Sequence, residues 1–208
     1  MKGRRIPFVA KEGIPLLFLA LVATVACWQL IGYEYAIVPG VILAWLLLVF
    51  RDPRRIIPAV PLGVVSPVDG TVVEVSLTAN GALSGDAHRI FIRVKSLGAY
   101  SARCPVEGKI MDFRGTLLDG AEVGACSGLW VRTDEGDDVV LQFHGHRFGL
   151  APLAFPGYGD RIGQGQRCAY LRMTRIAEVQ LPINSRLLVK EGQKVFAGVD
   201  VLAKLPHP

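Results

Sequence analysis

Apolar side chains dominate the first part of the chain. Residues 14–31 hold fifteen apolar side chains among eighteen positions. A helix of that length is roughly 27 Å long, close to the thickness of the hydrocarbon core of a bilayer. A second apolar run, 36–50, follows the polar-aromatic turn 32–35. The pattern predicts an N-terminal transmembrane or re-entrant helical hairpin, in which the second arm is short and contains Pro39-Gly40.

The pattern changes after residue 60 to short β-branched runs separated by Gly, Pro and Asp. Period-two alternation and turn residues of this kind are typical of short antiparallel strands. No long amphipathic helix is predicted after residue 55. We therefore expect a mainly β fold, a compact barrel or sandwich, and a domain boundary between 1–55 and 56–208. The Gly-based segments 159–165 and 192–198 of this fold resemble the hairpins of lipoyl-type domains. The predicted strands are 64–75 (as strand, Asp-Gly turn and strand), 88–95, 105–113, 129–132 and 139–143, with a solvated turn at 134–138.

One seven-residue phrase occurs twice near the C-terminus. Residues 159–165 read Gly-Asp-Arg-Ile-Gly-Gln-Gly, and residues 192–198 read Gly-Gln-Lys-Val-Phe-Ala-Gly. Each copy precedes a short apolar run, which predicts two related hairpins within one β unit. No helix follows either copy, so neither is interpreted as a phosphate-binding loop.

The basic charge lies around the apolar hairpin. The chain has a formal net charge of +5, and most of it falls within the first 55 residues. A nucleic-acid-binding domain would carry a basic stripe on its folded part, so nucleic acid is not an expected partner. Basic flanks on both sides of the hairpin predict that both ends face the cytoplasm. A cleaved signal peptide and a buried soluble hairpin are the less favoured alternatives.

No metal site is predicted. The four cysteines have spacings that fit no zinc motif, and we interpret them as reduced packing residues. His144-Gly145-His146 brings two histidines close together, but the sequence shows no third ligand near them.

Several motifs in one order carry a resemblance to a known family. They are Phe-Arg-Asp-Pro-Arg-Arg at 50–55, Ser-Pro-Val-Asp-Gly at 66–70, Arg-Cys-Pro-Val-Glu-Gly at 103–108, and the stretch 188–198. Together with the hairpin, this order resembles the short, membrane-bound bacterial phosphatidylserine decarboxylases. The resemblance implies a β domain on the cytoplasmic side of the bacterial inner membrane, in phosphatidylethanolamine synthesis. It matches Asp69 to the family's acid and Arg103 to the family's arginine.

The resemblance also shows three substitutions at or beside the reactive positions. In the family, the serine of a Gly-Ser pair attacks the preceding carbonyl, the chain breaks, and the serine becomes a pyruvoyl group that serves in place of an external cofactor. The matching stretch here is 172–178, in which Thr174 stands at the glycine and Arg175 at the serine. The family's histidine position is Tyr100, a poor base at neutral pH because the ordinary pKa of tyrosine is about 10.

Two functional hypotheses follow. The favoured one is a non-catalytic family member that binds a phospholipid head group or a lipid-synthesis partner, with Arg103 and Arg175 available for a phosphate. The alternative is an active decarboxylase that uses Asp69 and forms a 2-oxobutanoyl group from Thr174. Both arginines are equally compatible with ordinary surface charge, and an unrelated activity on the same fold stays open. No external cofactor is expected under either hypothesis, and a homo-oligomer is compatible with both.

Overall fold

The structure is a computed structural model that describes residues 9–79, 85–96, 98–114, 127–145, 152–171 and 174–206. Contacts within the chain divide it into two units, Met1–Arg54 and Arg55–Pro208. The assignment of these units as a membrane anchor and a cytoplasmic domain stays a prediction.

The first unit contains two apolar helices, α1 (Ile14–Leu30) and α2 (Tyr33–Val49), after a 3-10 turn at Lys11–Gly13. The segment Lys11–Leu30 is long and apolar enough to cross a membrane, whereas α2 is shorter. Neither helix has a buried residue, so both present apolar side chains outward. The predicted helical hairpin is confirmed, and its long apolar helix is consistent with membrane association.

The turn between the helices is shorter than predicted. Gly32 has a φ of 132°, a conformation that favours glycine, and α2 begins at the next residue, Tyr33. The helix then continues through Pro39. Tyr33 and Glu34, predicted as turn residues, therefore form the first turn of α2.

The second unit is built from antiparallel strands, which confirms the mainly β prediction. The strands are β1 (Gly63–Val65), β2 (Gly70–Thr78), β3 (Ala87–Val94), β4 (Ser101–Arg103), β5 (Gly108–Arg114), β6 (Ser127–Arg132), β7 (Asp138–His144), β8 (Leu153–Ala154), β9 (Arg161–Ile162), β10 (Arg167–Tyr170), β11 (Ile176–Pro182), β12 (Arg186–Leu187), β13 (Lys194–Val195) and β14 (Val201–Lys204). One eight-stranded sheet has the order β13-β2-β3-β11-β7-β6-β5-β9, and two three-stranded sheets have the orders β1-β14-β12 and β4-β10-β8. Both edges of the large sheet are two-residue strands that pair, among the described residues, only with their inner neighbours. The sheet is therefore open and the arrangement sandwich-like, which confirms the sandwich form of the predicted barrel or sandwich.

Alternation along the central strands places the core on one face of the large sheet. Ile90 and Ile92 of β3 lie beside Val179 and Ala177 of β11, and both isoleucines and Val94 are buried. Burial of these side chains is the main favourable term in folding, at roughly 25 cal/mol per Å² of apolar surface. The predicted apolar face of strand 88–95 is confirmed.

The Asp-Gly pair at 69–70 does not form the predicted hairpin turn. β1 pairs with β14, whereas β2 pairs with β3, so the strands on either side of the pair are not partners. Glycine is required at position 70 for another reason: a Cβ there would overlap the carbonyl oxygen of Arg93. The predicted solvated turn at 134–138 is confirmed, because β6 and β7 pair across it.

The repeated phrase adopts the same backbone conformation in both copies, but neither copy is a hairpin. Gly159 and Gly192 have φ of 84° and 81°, and Gly165 and Gly198 have φ of 68° and 70°. The short strands after the first glycines pair elsewhere, β9 with β5 and β13 with β2. The hairpin prediction is therefore wrong, although the predicted relationship between the copies is real.

A second pair of matching segments completes this internal symmetry. The N–H of Gly198 donates to the carbonyl of Ser66, and the N–H of Gly165 donates to the carbonyl of Cys104, both at 2.8 Å. The segments beginning at these two acceptors, Ser-Pro-Val-Asp-Gly and Cys-Pro-Val-Glu-Gly, thus occupy equivalent places. The β unit is organised as two interlocked halves, and Asp69 belongs to one of them.

Candidate functional site

The end of β3 lies between two of the residues singled out in the sequence. The N–H of Lys95 donates to the carbonyl of Asp69, and the N–H of Val94 donates to the carbonyl of Arg175, both at 2.8 Å. Asp69 and Arg175 are 106 positions apart in the chain. Pairing of β2 and β11 on either side of β3 brings them to one end of the large sheet.

Tyr100 and Thr174 reach the same region through Leu171. The N–H of Leu171 donates to the carbonyl of Tyr100 at 2.8 Å, and the Thr174 hydroxyl donates to the carbonyl of Leu171 at 2.5 Å. The phenol of Tyr100 donates to the carbonyl of Ser96 at 2.6 Å. Four of the five candidate residues therefore converge around the segment that follows β3.

The carboxylate of Asp69 is enclosed by two donors. One oxygen accepts from the guanidinium of Arg55 at 2.7 Å, and the other accepts from the N–H of Ala197 at 2.8 Å. The side chain of Asp69 is only 5 % exposed, so this ion pair is shielded from solvent. The sequence motifs contained Arg55, but nothing in their spacing indicated that it pairs with Asp69.

Arg103 is buried beside the segment that carries Asp69, because its backbone N–H donates to the carbonyl of Pro67 at 2.8 Å. Its guanidinium donates to the carbonyl of Gly165 at 3.0 Å, and a Cβ at Gly198 would lie 2.9 Å from its Cδ. Arg103 thus packs between the two symmetry-related glycine turns. The surroundings described for it are those of an interior arginine, and a role for it in head-group binding stays a prediction.

Comparison with known proteins identifies the family. Three bacterial proteins named phosphatidylserine decarboxylase proenzyme are similar over nearly their whole length. The Burkholderia ambifaria protein is 30 % identical over 207 residues, which are 96 % of this chain and 97 % of the relative. The Nitrosomonas eutropha and Nitrosomonas europaea proteins are 30 % and 29 % identical over 206 residues, 95 % of each chain. The chain belongs to the phosphatidylserine decarboxylase family. No protein-family model matches it.

A polar cluster that was not predicted from the sequence lies on the other face of the large sheet, beside this site. The carboxylate of Glu178 is fully buried and accepts hydrogen bonds from Arg89 Nε at 2.6 Å, His144 Nε2 at 2.7 Å and Gln180 Nε2 at 2.7 Å. Glu178 follows Arg175 by three residues, and the N–H of Arg175 donates to the carbonyl of His144 at 3.4 Å. The cluster therefore links β3, β7 and β11 close to Arg175, which immediately precedes β11.

The ionisation of Glu178 follows from these contacts. Burial alone raises the pKa of this carboxyl group, but hydrogen bonds from His144, Arg89 and Gln180 outweigh burial and lower the pKa from 4.5 to about 2. The sequence did contain a signal for the cluster. Glu178 and Gln180 alternate with the apolar residues of β11, which places polar groups on the second face of a central strand.

The remaining candidates are structural or fall outside the described residues. His144 binds Glu178, and His146 lies outside the described part of the chain. Cys104 and Cys168 are buried, and burial raises the pKa of both thiols, to about 12 for Cys104. Both cysteines match the predicted packing role. Among the described residues, no group of three or more His, Cys, Asp or Glu side chains is placed to hold a metal ion.

Proposed function

We propose that this protein is a membrane-anchored, non-catalytic member of the phosphatidylserine decarboxylase family that binds a phospholipid head group with Arg175. The helical hairpin anchors it in the bacterial inner membrane, and the β unit lies on the cytoplasmic side. The basic residues on both flanks of the hairpin support this orientation. Its role lies in phospholipid metabolism, without decarboxylation by the protein itself.

The observation that carries the proposal is the guanidinium at position 175. Arg175 stands at the family's serine position. Its side chain is exposed and lies over Gly145, and its backbone carbonyl accepts from Val94 of β3, one strand away from Asp69. Within the described residues, its guanidinium takes part in no ion pair. A guanidinium presents a planar set of donors that fits two phosphate oxygens at once. Because the family acts on phospholipids, exposed Arg175 favours a phosphate group as the ligand.

The residues present do not fit a pyruvoyl group. Arginine has no hydroxyl group with which to attack the preceding carbonyl. The Thr174 hydroxyl is buried and donates its proton to the carbonyl of Leu171, a poor acceptor for proton transfer. Both oxygens of the Asp69 carboxylate are bound by donors, and the phenol of Tyr100 is itself a donor. These contacts favour the non-catalytic hypothesis over the Thr174 alternative.

Replacing Arg175 with alanine is expected to weaken binding to anionic phospholipid about tenfold, because a charge-assisted contact to phosphate contributes roughly 1.5 kcal/mol. The measurement is binding of a fluorescent, short-chain anionic phospholipid to the full-length protein in a neutral detergent. Arg186→Ala is the matched control, since it removes another exposed arginine, from β12, outside the proposed site. Equal affinities for the two variants would contradict the proposed phosphate contact.

The purified protein is expected to run as one intact chain of 22.5 kDa. Cleavage before Thr174 would instead release residues 174–208 with a blocked N-terminus. Intact-mass spectrometry distinguishes the two results, and Thr174→Ala is the control. A ketoacyl terminus that is present in the natural chain and absent from Thr174→Ala would establish the active alternative.

A further inference from the structure

Two exposed phenylalanines of the β unit are each covered by an arginine. The guanidinium of Arg55 lies 5.7 Å from the ring centre of Phe196, and that of Arg167 lies 4.9 Å from the ring centre of Phe155. The rings nevertheless remain 47 % and 41 % exposed. Arginine stacked on an exposed ring combines a cation with a flat apolar surface, a pairing suited to a boundary between water and an apolar phase.

The segment after Arg55 connects the two pairs. Ile56 is 90 % exposed and Ile57 is 39 % exposed. Ile57 packs on the backbone of Gly165, where a Cβ would lie 2.6 Å from the isoleucine side chain. Gly165 is two residues from Arg167 at the start of β10, so the segment runs from the first pair towards the second. We define the arginine–aromatic surface as Arg55, Ile56, Ile57, Phe155, Arg167 and Phe196.

We propose that the arginine–aromatic surface docks the β unit on an anionic lipid bilayer, as a second membrane contact in addition to the helical hairpin. Isoleucine and phenylalanine side chains enter the interfacial region, and Arg167 keeps its charged group at the level of the lipid phosphates, whereas Arg55 remains paired with Asp69. This proposal concerns the β unit's own contact with lipid and does not depend on whether the protein is catalytic.

Two features favour a lipid bilayer as the partner of the arginine–aromatic surface. The first is chain connectivity: Arg55 is only six positions after Val49, the last residue of α2, so the extended chain between them spans at most about 20 Å. A surface that begins at Arg55 therefore cannot lie far from a membrane that contains α2. The second is charge, because a surface that mixes arginine with apolar side chains is complementary to anionic head groups above acyl chains.

The surface also borders the candidate site. Arg55 binds Asp69 and covers Phe196 with the same guanidinium. Phe155 lies next to β8, which pairs with Tyr170 of β10 just before the segment that leads to Thr174. Docking by this surface brings that end of the sheet to the bilayer, where lipid head groups are located.

The test places a fluorescent bimane label at one position at a time in the full-length protein reconstituted in nanodiscs with nitroxide-labelled head groups. The labelled positions are Phe155→Cys and Phe196→Cys, with Leu77→Cys as the control. Leu77 is also exposed, at 64 %, but lies at the far end of β2, roughly 26 Å along the strand from Asp69. Cys27 and Cys126 are replaced by alanine, whereas the buried thiols of Cys104 and Cys168 stay, since their raised pKa keeps them unreactive.

Stronger quenching at positions 155 and 196 than at position 77 is expected. In nanodiscs that contain anionic lipid, Arg167→Gln should weaken the docking equilibrium about fivefold, and high salt should weaken it similarly. Equal quenching at all three positions would overturn the proposal. Contact with a second copy of the chain would also overturn it. It would appear as weak nitroxide quenching of the labelled protein, together with disulfide cross-linking of the unlabelled cysteine at 155 or 196 by an added oxidant in nanodiscs holding two copies.

Discussion

Replacing Glu178 with glutamine is expected to lower the free energy of unfolding at pH 7 by about 3 kcal/mol. The carboxylate is fully buried and accepts from three donors, two of which belong to cationic or protonatable side chains, Arg89 and His144. Glutamine keeps the volume but removes the charge, and its amide group turns a donor towards another donor. The measurement is chemical denaturation of the detergent-solubilised protein, followed by tryptophan fluorescence.

The pH dependence of stability provides the internal control for this prediction. The pKa of Glu178 is depressed in the folded protein, so its contribution is present above the unfolded value near 4.5 and is lost as pH falls towards about 2. The natural protein should lose about 3 kcal/mol over that interval from this group, and Glu178→Gln should not.

Asp134→Asn breaks an exposed ion pair with Arg161 and should cost less than about 1 kcal/mol. Similar losses for both variants would show that burial of Glu178 does not matter.

Replacing Gly70 with alanine is expected to cost about 3 kcal/mol, because the new Cβ would overlap a backbone atom. At this position the Cβ meets the carbonyl oxygen of Arg93, on the strand that also carries Val94 and its hydrogen bond to Arg175. A backbone atom inside a sheet cannot move aside as a flexible side chain can. The measurement is the thermal unfolding midpoint of the full-length protein in detergent, followed by circular dichroism.

Gly85→Ala is the matched control for this experiment. A Cβ at Gly85 meets no atom within 4 Å, and its backbone does not require glycine. The same chemical change should therefore leave the midpoint nearly unchanged at position 85 and lower it at position 70. An unchanged midpoint for Gly70→Ala would mean that β2 and β3 separate at this point without cost.

Local patterns predicted which segments form helices and strands, but they did not predict which strands pair with each other. The helical hairpin, strand 88–95 and the turn at 134–138 follow from hydrophobic periodicity and turn residues, which depend only on neighbours in the chain. The predicted hairpins at 64–75, 159–165 and 192–198 are wrong because their strands pair with distant partners. Glycine between two apolar runs is compatible with a hairpin turn and equally with a close approach of two strands.

The sequence by itself determined the family, the apolar hairpin and the identity of the residues at the reactive positions, since motif order and side-chain chemistry do not depend on coordinates. Tertiary structure alone decided that Arg55 binds Asp69, that Glu178 is buried beneath Arg89 and His144, and that Arg175 lies one strand away from Asp69. These contacts join residues from 14 to 106 positions apart. Strand order in the large sheet creates them, and strand order is set by packing of the whole β unit rather than by any local pattern.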